Sequence, residues 1–106
     1  MDRGMNRGDI WFAEVGRKRR PVVVLTRSEV IGVRALVTVA EITTSIRGIG
    51  AEVAFDYGEV GLDQESVINC DGLHTLTKAS LTFFVGTVGD DTMGQVCSAV
   101  SYALDC

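Results

Sequence analysis

Short runs of β-branched and aromatic residues, separated by glycines and charged residues, constrain this chain more than any other feature. They are residues 8–15 (GDIWFAEV), 20–26 (RPVVVLT), 33–42 (VRALVTVAEI), 51–56 (AEVAFD), 65–71 (ESVINCD), 73–78 (LHTLTK) and 81–88 (LTFFVGTV). Each has the length and composition of a β-strand, and none approaches the length of a membrane span. Gly16, Gly32, the Gly48-Ile49-Gly50 loop, Gly58, Gly61 and Gly72 punctuate them. The single proline, Pro21, stands at the start of a run, where a missing N–H is tolerated. The period then changes. Met93, Val96, Val100 and Leu104 fall at helical spacing, with Cys97 and Ala103 in the same stripe and Asp90 or Asp91 as N-cap. Gly94 weakens the first turn of that helix. The pattern predicts a mainly β (α+β) protein: one domain over 1–106, a small, strongly twisted barrel closed by a C-terminal helix. Unrelated functions share that shape, so it does not decide activity.

Apolar residues make up 46% of the chain, enough for one core and too many for a disordered polypeptide. The first residues, MDRGMNRGDIW, carry charges where an export signal needs an apolar stretch, so a cytoplasmic location is expected. The cysteines, Cys70, Cys97 and Cys106, are odd in number and lack CxxC spacing, which points to reduced thiols, with Cys106 doing little. No zinc set, cofactor motif or calcium loop is legible; Asp56, Glu59, Asp63 and Glu65 read as a solvated acidic loop. The net charge is −4, but its distribution is uneven. Residues 1–50 balance to +4 and residues 51–106 to −8, and Arg17 to Arg20 are four consecutive cations. A phosphate backbone responds to such a local field more than to total charge.

The order RGDIWFAEV, a short turn, RRPVVVLT, LVTVAEITTSI, GLDQESVINCDGLHTLTKASL and VGTVGDDTMGQV resembles the MazF/PemK toxin family over nearly the whole chain. The resemblance implies an SH3-like/CcdB-like barrel forming a homodimer that cleaves single-stranded RNA without metal or cofactor and is silenced by a cognate antitoxin. It also implies two catalytic positions, which fall on Arg20 and Thr43. Their chemistry fits: cleavage by the ribose 2′-hydroxyl, leaving a cyclic phosphate and a 5′-hydroxyl, needs charge stabilised on the phosphorane oxygens. A guanidinium offers a planar fork matched to those oxygens, and a threonine hydroxyl donates to them. Proton transfer suits Arg20 poorly, because a guanidinium stays charged at working pH.

The sequence departs from the family pattern in two places. The first turn, Gly16-Arg17-Lys18-Arg19, is short and wholly basic, so Arg17, Lys18 and Arg19 are candidates for RNA backbone contacts. At LHTLT, His74 stands for an arginine and Thr77 for an aspartate; His74, the only histidine, is either a proton carrier or a strand residue touching RNA or a neighbour. Thr44, Arg47 and Thr75 complete the RNA-binding candidates, Arg47 from the glycine-rich loop after Thr43. Trp11 is read as core or dimer interface, and Arg7-Gly8-Asp9 as a strand entrance rather than an adhesion signal. Two other readings stand beside the nuclease. One is a CcdB-type toxin that binds DNA gyrase without cutting, against which Arg20, Thr43 and the basic turn argue. The other is a non-catalytic RNA-binding barrel.

Overall fold

The computed structural model describes residues 4–104; Arg3 of the basic half and Cys106 lie outside them. Six antiparallel strands form one sheet: β1 (Asp9–Val15), β2 (Lys18–Val24), β3 (Leu36–Thr43), β4 (Glu52–Ala54), β5 (Val67–Thr77) and β6 (Leu81–Thr87). Their order is β4-β5-β3-β2-β1-β6. Among the described residues the ladder stays open between β4 and β6, so the expected twisted barrel is present as a sheet that does not close on itself. A four-residue helix, α1 (Ser28–Ile31), which the sequence did not announce, links β2 to β3, and α2 (Asp90–Ala103) is the expected C-terminal helix. No helix is long and apolar enough to cross a membrane.

Val22, Val23 and Val24 are all fully buried, which explains an unbroken valine run instead of alternation. Val23 faces one apolar cluster with Ile10, Ala40, Ile42 and Ile68, against Met93, Val96 and Ala99 of α2. Val22 and Val24 face a second cluster with Ala13, Val37 and Val39, covered by Ile31 of α1 and Leu81. Trp11 packs on this second cluster, edge-on to Phe84 with ring centroids 5.5 Å apart. Pro21 lies in β2 just before pairing with β3 begins at Val22↔Glu41, so it removes no donor from that ladder.

Three expectations need correction. The runs 65–71 and 73–78 are one strand, β5, and Gly72 interrupts only its register with β3: Ala40 pairs with Leu73, whereas Glu41 pairs with Asn69. The residues between form a bulge, and a bulge re-aims side chains without ending a strand. The α2 N-cap is Gly89, in extended conformation with no side-chain cap; Asp90 and Asp91 instead form the first turn, where their charge suits the helix dipole. The buried face of α2 centres on Val96, so Cys97 and Leu104 fall at its margin and are exposed, while Ala99 is buried.

Asp9, completely buried at the mouth of β1, accepts the Asn6 backbone N–H at 2.9 Å and the Thr87 hydroxyl at 3.0 Å. Gly8 beside it has φ 89°, and a Cβ there would meet Val88 O at 3.3 Å and Met93 Cγ at 3.4 Å. The Arg7-Gly8-Asp9 sequence thus serves the junction of the start of β1 with the end of β6.

Candidate active site

In an antiparallel ladder, cross-strand partners share a face, as do residues two apart in one strand. The pair Val22↔Glu41 therefore puts Arg20, Glu41 and Thr43 on the face opposite α2, and Glu41↔Asn69 adds β5. The apolar half of that face is the second core cluster. Its polar half is an open cleft of about 350 Å³ lined by Arg20, Glu41, Thr43, Ser45, Arg47 and Asn69.

Glu41 ties the cleft together. One carboxylate oxygen, Oε1, lies 3.4 Å from the Arg20 guanidinium, and the other, Oε2, is 2.7 Å from His74 Nε2. Its side chain is 19% exposed, against 35% for Arg20 and 33% for His74. The β5 bulge brings Gly72 against this group: a Cβ there would sit 3.0 Å from Glu41 Oε2 and 3.2 Å from Asn69 Nδ2. A side chain at position 72 would therefore contend directly with the carboxylate.

Thr43 Oγ1 accepts the Ser45 backbone N–H at 3.0 Å, which turns the chain out of β3 and leaves the hydroxyl hydrogen free to donate. The loop beyond is fixed by Glu52, whose side chain is only 3% exposed. Its carboxylate accepts the backbone N–H of Arg47 at 3.0 Å and of Gly48 at 2.8 Å, and lies 3.5 Å from Arg47 Nε. Gly48 takes φ 71°, a conformation that costs glycine little. Burial would push the Glu52 carboxyl up, but backbone N–H groups of Arg47, Gly48 and Ile49, with the Arg47 side chain, outweigh it and hold the group below its ordinary value. The Arg47 side chain, 55% exposed, is thus carried on a braced loop at the cleft wall.

The structure therefore gathers Arg20, Thr43 and Arg47 in one cleft and sets His74 behind it, against Glu41. The remaining expected site residues lie elsewhere. Thr44 is exposed beside Thr43 but does not line the cleft. Thr75 points to the other face from His74 and shares a hydroxyl contact of 3.2 Å with Thr38. Arg17 occupies the two-residue loop between β1 and β2, with Gly16 at φ 64°. Lys18, exposed, opens β2 opposite Val15. Arg19 emerges on the opposite face of β2 from Arg20 and stacks 4.5 Å over the Phe12 ring and 5.9 Å from Phe83. The four-cation run is thereby divided between the two faces. Thr77 bonds to Ser80 at 2.8 Å and pairs with Leu36, at the far end of β3 from Thr43.

Sequence reasoning missed Glu41, Ser45 and Asn69. The one available signal was Glu41 itself, an acid inside the apolar strand LVTVAEIT, two residues before Thr43. Among the described residues no group of three His, Cys, Asp or Glu side chains is placed to hold a metal ion. Asp56 instead accepts the Glu59 backbone N–H at 3.1 Å. Cys70 is buried, and that burial, followed by the nearby Asp71 and Cys97, pushes its thiol up to about 11. Cys97 is exposed and accepts from Arg7 at 2.6 Å.

Fold and cleft together define a small antiparallel β-protein with an open polar cleft, lined by two arginines, on one sheet face. Residues 6–104 match the family described as PemK-like, MazF-like toxins of type II toxin–antitoxin systems. The chain is 36% identical over 101 residues to the probable endoribonuclease MazF5 of Mycobacterium tuberculosis, covering 94% of this chain and 93% of that protein. It is 38% identical over 88 residues to the endoribonuclease MazF3 of the same species, covering 83% and 84%. The solved Mycobacterium tuberculosis toxin MazF-mt6 superposes with a TM-score of 0.85 at 36% identity, over 92% of this chain and 96% of that one. A mycobacterial endoribonuclease solved with its cognate antitoxin superposes at 0.84 and 26% identity, over 95% of each chain. The chain belongs to the PemK/MazF toxin family.

Proposed function

We infer that this protein is the RNA-cutting toxin of a toxin–antitoxin pair, an endoribonuclease that cleaves single-stranded RNA without a metal ion. The observation that carries this reading is the convergence of Arg20, Thr43 and Arg47 on one open cleft, donors drawn from β2, β3 and a braced loop. A cleft so furnished binds a phosphodiester and stabilises the charge that grows on it. The ribose 2′-oxygen attacks the adjacent phosphorus while the Arg20 fork and the Thr43 hydroxyl hold the non-bridging oxygens. The products are a 2′,3′-cyclic phosphate and a 5′-hydroxyl. Arg47, an exposed side chain on a fixed backbone, holds a flanking phosphate.

The family relationship extends this reading to a cytoplasmic homodimer held inactive by an antitoxin; its mycobacterial structural relative is an endoribonuclease in complex with such a partner. The gyrase-binding reading has no use for a cleft in which two arginines and a threonine converge. Incubation of purified protein with a long RNA in EDTA tests the proposal. Cleavage leaving 5′-hydroxyl ends is expected, and Arg20→Ala should abolish it while the circular dichroism spectrum stays native. Intact RNA retained in a gel shift would instead make the protein an RNA-binding module.

A further inference from the structure

We propose that Glu41 is the general base of this enzyme, and that His74 is the positioning residue that orients it and links it to solvent. The proposal rests on the endoribonuclease reading and assigns the proton transfer which Arg20 is ill suited to perform. Among the described residues, Glu41 is the one acid lining the cleft that holds Arg20 and Thr43. A carboxylate there repels the phosphate that the arginines attract, so its presence calls for a chemical use. Its two oxygens are already divided between two tasks. Oε2 is held by His74 Nε2 at 2.7 Å, a strong contact that fixes the carboxylate plane. Oε1 faces Arg20 at 3.4 Å, a looser contact that an incoming phosphate can replace. Gly72, with no Cβ, leaves the space in which this arrangement fits.

Phosphate oxygens take over the Arg20 guanidinium, and Oε1 accepts the proton of the 2′-hydroxyl. The 2′-oxygen–phosphorus bond forms and the phosphorus–5′-oxygen bond breaks, its electron pair going to the 5′-oxygen, which takes a proton from water. The hydroxide left behind is neutralised by the proton on Glu41, directly or through His74, whose ring is one-third exposed. Around Glu41 stand the cations Arg20 from β2 and Arg47 from the loop, the titratable His74 from β5, and the neutral Thr43 and Asn69.

The test compares single-turnover cleavage of a long single-stranded RNA in EDTA across the acidic and neutral range. It also measures binding of the all-2′-deoxy counterpart, which has no nucleophile. Glu41→Gln, isosteric and able to keep the His74 contact, should slow cleavage by about 10²–10⁴-fold, the usual worth of a general base. It should bind the deoxy strand at least as tightly as wild type, because a repelling charge is gone. Formate should restore part of the rate of Glu41→Ala. His74→Ala should lower the single-turnover rate while leaving deoxy-strand binding unchanged, since the carboxylate loses the contact that fixes its plane. A Glu41→Gln enzyme cutting at the wild-type rate with an unchanged profile would overturn the proposal. So would a loss of rate matched by an equal loss of deoxy-strand binding. Failure of the wild-type protein to cut at all would reject the nuclease reading itself, and this proposal with it.

Discussion

At the scale of single residues, the site depends on one side chain that is absent. Gly72 lies in the β5 bulge where a Cβ would press on Glu41 Oε2 and Asn69 Nδ2. Neither neighbour is backbone, so the protein should accommodate Gly72→Ala by moving the carboxylate. Unfolding free energy should change by roughly 1 kcal/mol, the typical cost of a point substitution. Cleavage should fall by at least about tenfold, since that rate factor corresponds to only about 1.4 kcal/mol of lost transition-state stabilisation. Urea unfolding and the single-turnover assay, run on the same preparation, separate the two effects. A variant that loses stability in proportion to activity would show that Gly72 serves the fold and not the carboxylate.

At the scale of elements, the β3–β4 loop is organised by Glu52 at the start of β4. Its carboxyl lies below the ordinary range when folded, so its contribution is fully present above the unfolded value of about 4.3 and is lost as pH falls through the folded value. Following the Glu52 carboxyl carbon by NMR should give a midpoint below that of a free glutamate, with the Arg47 and Gly48 amide signals moving in step. Glu52→Gln should raise KM for RNA more than it lowers kcat, because it frees the loop that carries Arg47. The strands themselves were legible because β-branched runs bounded by glycines leave a chain few choices. Gly72 misled because glycine marks a strand end and a bulge equally well, and four residues at Ser28–Ile31 are too few to show a helical period. Arg20 and Thr43 were reached by resemblance in motif order. Glu41 and His74 were not seen as a pair, because the register joining β3 to β5 is a tertiary fact and neither residue alone announces a partner.

At the scale of the whole molecule, an acidic protein turns a few arginines towards an anion. Arg20 and Arg47 share the cleft, whereas Arg19 is committed to Phe12 and Phe83 on the other face. RNA affinity should therefore weaken with salt less steeply than ten cations would suggest. Arg47→Ala should reduce the slope of log affinity against log salt by about 0.7, the value for one single-strand phosphate contact. Arg19→Ala should leave that slope unchanged; titrations at several ionic strengths distinguish the two.

The sheet also has an order of assembly. β1 pairs with β2 across a two-residue turn, but its other edge waits for β6, and Asp9 meets Thr87 across 78 positions of chain. During translation, the residues of the hairpin bearing Arg20 are made long before the strand that seals its flank, and such distant pairings are slow to form. A ribosome making this toxin is itself surrounded by RNA. On the proposed function, a sheet completed only when the chain's far end arrives leaves the nascent polypeptide an interval with an unpaired β1 edge, and so gives an antitoxin time to arrive first.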